Sequence, residues 1–80
     1  MDDKKVTESI AELTREEHEL FEWESHGAAT DADRERLRHI QVMLDQSWDL
    51  LRQRRALRES GRNPEEARVR DEKTVEGYTG

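Results

Sequence analysis

An 80-residue chain of 9.5 kDa holds one small domain. Its 42% charged and 31% apolar residues, with 20 acids against 14 Lys and Arg, give a formal charge of −6. The absence of cysteine excludes a disulfide framework and a thiolate zinc site, and no apolar run approaches the roughly 18–20 residues of a membrane span.

The first predicted element is a helix over about residues 3–26. Val6, Ile10, Leu13, Leu20 and Phe21 fall on one helical face, with Glu17 at the missing step. Asp2 or Asp3 can accept hydrogen bonds from the first free amides, where a negative charge also suits the helix dipole. Gly27 fits the left-handed position just past the helix end. Residues 1–26 carry nine acids and three bases, so this helix is the acidic part of the chain. The opening Met1-Asp2-Asp3-Lys4-Lys5 lacks the apolar core of a signal peptide, which makes the cytoplasm the expected location and a membrane an unexpected partner.

A second helix follows at once. Thr30 is the expected N-cap, with Asp31 and Asp33 in the first turn. Leu37, Ile40, Leu44, Ser47 and Leu51 then alternate by three and four, and no breaker appears until Gly61-Arg62-Asn63-Pro64. The helix is predicted over about residues 31–60. Its last part is basic, with five arginines and one glutamate in residues 51–62. Asn63-Pro64-Glu65-Glu66 has the form of a new N-cap with proline at the first helical position, which predicts a short third turn. The chain thus divides into a hairpin over residues 1–62 and a tail over residues 63–80, in which Val75 and Tyr78 are large apolar groups.

The short Gly27-Ala28-Ala29 linker forces the two helices antiparallel. With the turn centred near residue 28.5, facing residues have numbers that add to 57. Val6 then meets Leu51, Leu13 meets Leu44 and Leu20 meets Leu37. Arg52, Arg54 and Arg55 come beside Lys5, Asp3 and Asp2.

Helix 2 has more apolar surface than one partner helix can cover. Leu37, Leu44 and Leu51 share one heptad position, Met43, Leu50 and Leu57 share the adjacent one, and Trp48 flanks the other side. A lone hairpin is therefore expected to be marginal. One remedy is a homodimer, an antiparallel four-helix bundle with Met43, Leu44, Trp48, Leu50, Leu51 and Leu57 at the interface. The other is a tail that folds back and lays Val69, Val75 or Tyr78 on the stripe.

Three features bear on chemistry. Glu16-Glu17-His18 is the first, since Glu and His bind metals in helical bundles. The di-iron pattern, however, needs Glu three residues before His, and Arg15 and Arg36 hold those places before His18 and His39. No metal or cofactor site is expected, and Glu17 is expected to reach Arg38 or Arg34. The register also sets His18 level with His39, a hint of zinc or of a pH switch. Arg52, Arg54, Arg55, Arg58 and Arg62 are the second feature, a patch for an anion, a partner or nucleic acid, although helix 1 supplies its own counter-charges. Trp23 and Tyr78 are expected partner anchors, since aromatics concentrate at interface hot spots. Nucleophilic catalysis has no candidate: there is no cysteine, no serine elbow and no glycine-rich phosphate loop, so no enzyme is expected.

Glu16-Glu17-His18-Glu19-Leu20, the stretch Leu44-Asp45-Gln46-Ser47-Trp48-Asp49-Leu50-Leu51-Arg52-Gln53-Arg54-Arg55-Ala56, and Asn63-Pro64-Glu65 with Val75-Glu76-Gly77-Tyr78 carry a resemblance. Over nearly its whole length the chain resembles a small family of unknown function found mainly in actinobacteria. One departure is Ser47, where cysteine is common in that family, so a thiol role in relatives has no counterpart here. The resemblance implies a bacterial cytoplasmic protein and no particular activity. It also draws attention to Asp45, Trp48, Asp49, Arg52 and Arg55, whose helical spacing allows acid–base pairing such as Asp49 with Arg52.

The expectation is an all-α helical hairpin with a short C-terminal turn and an extended tail. It is expected to self-associate and to act as a non-catalytic interaction or adaptor module for an unidentified protein. A nucleic-acid-associated factor using Arg52–Arg62 is the second reading, and a metal-binding bundle the third.

Overall fold

The computed structural model describes residues 2–72. Helix α1 spans Asp3–Ser25, helix α2 spans Asp31–Glu59, and one 3-10 turn spans Pro64–Glu66. The fold is all-α, with no strand among the described residues. At 1.5 Å per residue, the 29 residues of α2 make a rod of about 44 Å.

Local chemistry sets each boundary. Asp2 Oδ1 accepts from Lys5 N at 2.9 Å and starts α1. Thr30 and Asp33 form a reciprocal capping box at the start of α2, each side chain bonding the other's backbone N–H. Asn63 caps the 3-10 turn through Glu65 N, with Pro64 at its first position. Both long helices end alike. Gly27 at φ +71° and Gly61 at φ +78° occupy the left-handed position that other residues avoid. Ala28 N then donates to Trp23 O, and Arg62 N to Leu57 O, which satisfies the last free carbonyls.

The two helices pack antiparallel. Val6, Ile10, Leu20, Leu37, Ile40, Leu44 and Leu50 form the core, and Ile40 is fully buried. Leu13, Met43, Leu51 and Ala67 pack against it half-buried. The expected register brings Asp3 to Arg54, and Asp3 Oδ1 accepts from Arg54 Nε at 2.6 Å. Its other oxygen accepts from Arg58 Nη2 at 2.7 Å. Nearer the turn, Glu16, rather than Glu17, crosses to α2: its carboxylate takes a two-pronged bond from Arg36. Arg34 and Arg38, the expected partners of Glu17, bond instead to Asp31 and Glu35 one helical turn away.

The chain beyond the 3-10 turn doubles back along α2 as a strap. Arg68 lies beside Gln53, Arg70 beside Gln46 and Asp49, and Glu72 beside Arg38. The strap therefore runs antiparallel to α2 towards the hairpin turn. Gln53 behaves like a short piece of strand: its amide donates to Arg68 O at 2.7 Å and accepts from Arg68 N at 3.1 Å. Of the tail residues expected on the stripe, Val69 is 61% exposed and Ala67 packs against the core in its stead, while Val75 and Tyr78 lie outside the described residues.

Hydrogen bonds from arginine hold three carboxyls below their usual range. Asp3 is lowered by Arg54 and then Arg58, Glu16 by Arg36, and Glu65 by Arg54. The partner guanidiniums of Arg36 and Arg54 are raised in turn. A carboxyl with a lowered folded pKa adds stability above its unfolded value and loses it as pH falls through the folded one. The melting temperature should therefore drop as pH goes below about 4, and the triple variant Asp3→Asn, Glu16→Gln, Glu65→Gln should show a flatter acid limb by circular dichroism. An unchanged acid limb in that variant would refute the assignment. In the core, Ile40→Ala should cost about 2–5 kcal/mol, enough to unfold most of a chain this small, and a thermal melt reads it directly.

Candidate functional site

A groove opens between α1, α2 and the strap. It encloses 810 Å³, and Leu13, Met43, Leu50 and Val69 form its apolar lining. Glu12, Glu16 and Glu19 line the α1 side, spaced four and three residues apart and so on one helical face. Arg36, Gln46 and Ser47 line the α2 side. Because Glu16 is tied to Arg36, Glu12 and Glu19 supply the acid of the rim, with Arg15 between them. The hollow continues past Val69 into a second one of 480 Å³ beside Val6 and Lys5.

The residues expected at a dimer interface divide three ways. Leu44 and Leu50 are 9% and 5% exposed and belong to the core of the single chain, because α1 and the strap already cover them. Met43, Leu51 and Leu57 are half-buried. Trp48 stands out at 50% exposure. It lies about 100° around α2 from Ser47 and does not line the groove.

The arginine patch does not face outward as a unit. Arg54 is a correction: it is 6% exposed, its guanidinium bonded to Asp3, Glu65 and Pro64 O, so it does not reach an external anion. The acids of α1 and of the 3-10 turn reach it first because the hairpin register and Pro64 bring them there. Arg58 pairs with Asp3 and Arg62 with Glu66. Arg52 and Arg55 are exposed and share a helical face with Trp48. The basic segment is thus largely neutralised by its own chain.

Trp23 is 48% and Phe21 45% exposed near the hairpin turn, and Tyr78 lies outside the described residues. His18 Nε2 sits 3.4 Å from Glu22 on its own helix, both side chains well exposed. No group of three His, Asp or Glu is placed to hold a metal ion among the described residues. No helix there is long and apolar enough to cross a membrane.

Sequence reasoning missed the face of α2 that holds the strap. Asp49 is 2% exposed; it accepts from Gln53 Nε2 at 2.8 Å and has Arg70 Nε at 3.6 Å. Gln46 Nε2 donates to Arg70 O at 3.1 Å. A signal was present: Gln46, Asp49 and Gln53 repeat at helical spacing on a face with two amides, a composition suited to gripping a backbone.

Comparison with known proteins adds a family. The model of the family described as "Protein of unknown function (DUF2630)" matches residues 2–80. "Uncharacterized protein Rv0898c" of Mycobacterium tuberculosis (strain ATCC 25618 / H37Rv) is 47% identical over 79 residues, covering 98% of this chain and 91% of the relative. "Uncharacterized protein Mb0922c" of Mycobacterium bovis is similar to the same extent. No solved structure matches. A match over residues 2–80, with mycobacterial relatives at 47% identity, shows that the chain belongs to the DUF2630 family of proteins of unknown function.

Proposed function

We propose that the chain is a non-catalytic protein-interaction module. The observation that carries this reading is its use of aromatic residues. Of the four aromatics in the sequence, Phe21, Trp23 and Trp48 are 45%, 48% and 50% exposed. In a chain short of apolar material, leaving these side chains at the surface forgoes burial that would stabilise the fold. Partner surfaces concentrate such groups, tryptophan above all. Trp48 has an arginine four and another seven residues on, which is the composition of an anchor with orienting charges.

The non-catalytic part rests on the groove. Its hydroxyls, Ser9 and Ser47, have no histidine among the lining residues to act as a base. An open cleft of mixed acidic and apolar character suits a protein segment better than chemistry on a small substrate. The proposed setting is the cytoplasm, where a chain without cysteine needs no disulfide to fold. The nucleic-acid reading gains nothing comparable, since Arg54, Arg58 and Arg62 each carry an acid of their own chain.

Cross-linked pull-down from an actinobacterial lysate tests the module, comparing the wild type with Trp48→Ala and Trp23→Ala. Recovery of at least one protein should fall about tenfold in one variant, the effect of losing a hot-spot residue. Helicity should remain unchanged, because both side chains are half exposed. A recovered set identical for all three baits would defeat the proposal.

A further inference from the structure

The strap is a poor apolar cover for the face it occupies. Beside it runs the stripe of Met43, Leu50 and Leu57, of which only Leu50 is buried. The strap brings Ala67, half-buried, and Val69, which is 61% exposed. Its hold is polar instead. Gln53 and Gln46 grip its backbone, while Arg70 faces Asp49 and Glu72 faces Arg38, each at 3.6 Å. The groove of 810 Å³ alongside shows the same shortage of apolar partners for Met43 and Leu13.

That stripe is complementary to itself. Its members are seven residues apart and symmetric about Leu50. Two copies of α2 laid antiparallel about Leu50 set Leu50 against Leu50 and each Met43 against the other's Leu57. A contact of this kind is isologous and closes at two chains.

We infer that the strap, residues 67–72, and a second copy of the chain compete for this one face of α2. The strapped form is a monomer, and the strap-open form is an antiparallel dimer. This rests on the reading of the chain as an interaction module, and it adds both the partner and the control. The two states differ in what holds them. The strap relies in part on ion pairs, and salt screens most strongly the exposed one, Arg38 with Glu72. The dimer stripe relies on apolar burial, which salt does not screen. Raising ionic strength should therefore drive association, the reverse of what a charge-held interface does.

The test combines light scattering on a sizing column with limited trypsin digestion, at about 50 mM and about 1 M NaCl, a span over which the Debye length shrinks several-fold. At high salt the mass should double, and cleavage after Arg68 and Arg70 should quicken about tenfold as the strap opens. Arg70→Glu sets a second carboxylate against Asp49 and should give the dimer already at low salt. Met43→Glu alters a half-buried side chain and should keep the helicity while abolishing the dimer at every salt concentration. Two results would overturn the inference. One is a wild type and Arg70→Glu that stay monomeric throughout, whether or not the strap opens, since the face would then serve another occupant or none. The other is a dimer in which Arg68 and Arg70 stay as protected as in the monomer, which places the interface elsewhere. Failure here leaves the Trp48 pull-down untouched, because Trp48 lies on a different face of α2 from the strap.

Discussion

One guanidinium joins the three parts of the molecule. Arg54 sits on α2, bonds Asp3 at the start of α1, and bonds Glu65 and Pro64 O in the 3-10 turn that leads into the strap. It is 6% exposed, whereas Asp3 and Glu65 keep about half of their side-chain surface in water. That asymmetry matters. A charge buried with one buried partner must offset two desolvation penalties, but here the acids stay hydrated and only the arginine is withdrawn. The planar fork supplies several donors at fixed angles, so one side chain serves partners that are 62 positions apart in the sequence. A lysine would place one point charge there and could not span the same arrangement.

The chain is economical with apolar groups because polar contacts do work usually given to a core. Seven buried apolar side chains hold the hairpin together. The third layer, the strap, adds little to that core. It is held by amide groups and ion pairs from one face of α2, and no buried side-chain nitrogen or oxygen lacks a partner among the described residues. A carboxylate as deeply buried as Asp49 is tolerable for this reason: Gln53 and Arg70 meet it where water has been excluded.

The helices were legible in the sequence because their signals are local. Thr30, Asp33, Gly27, Gly61 and the three-four spacing of Leu37, Ile40 and Leu44 act within a few residues of one another. Register was legible too, since a short linker leaves one arithmetic for facing residues, and Asp3 meeting Arg54 follows from it. The strap's path was not. Its contacts join residues 15 and 24 positions apart through side-chain amides and backbone carbonyls, and neither appears in a pattern of apolar spacing. For the same reason the spacing of the apolar surface on α2 does not distinguish a second chain from the chain's own continuation as its cover. The surface position of Trp48 likewise depends on how far the helical angle carries it from the core, which composition does not encode.

Gln53 holds the strap by its main chain: it bonds the N–H and the C=O of Arg68, as a neighbouring strand would. Recognition of this kind is indifferent to most side chains at the gripped position. Position 68 can therefore carry other side chains without loss of this grip, provided that it keeps its N–H. Proline is the residue that removes it, so at this position α2 reads the backbone of the strap and not its side chain.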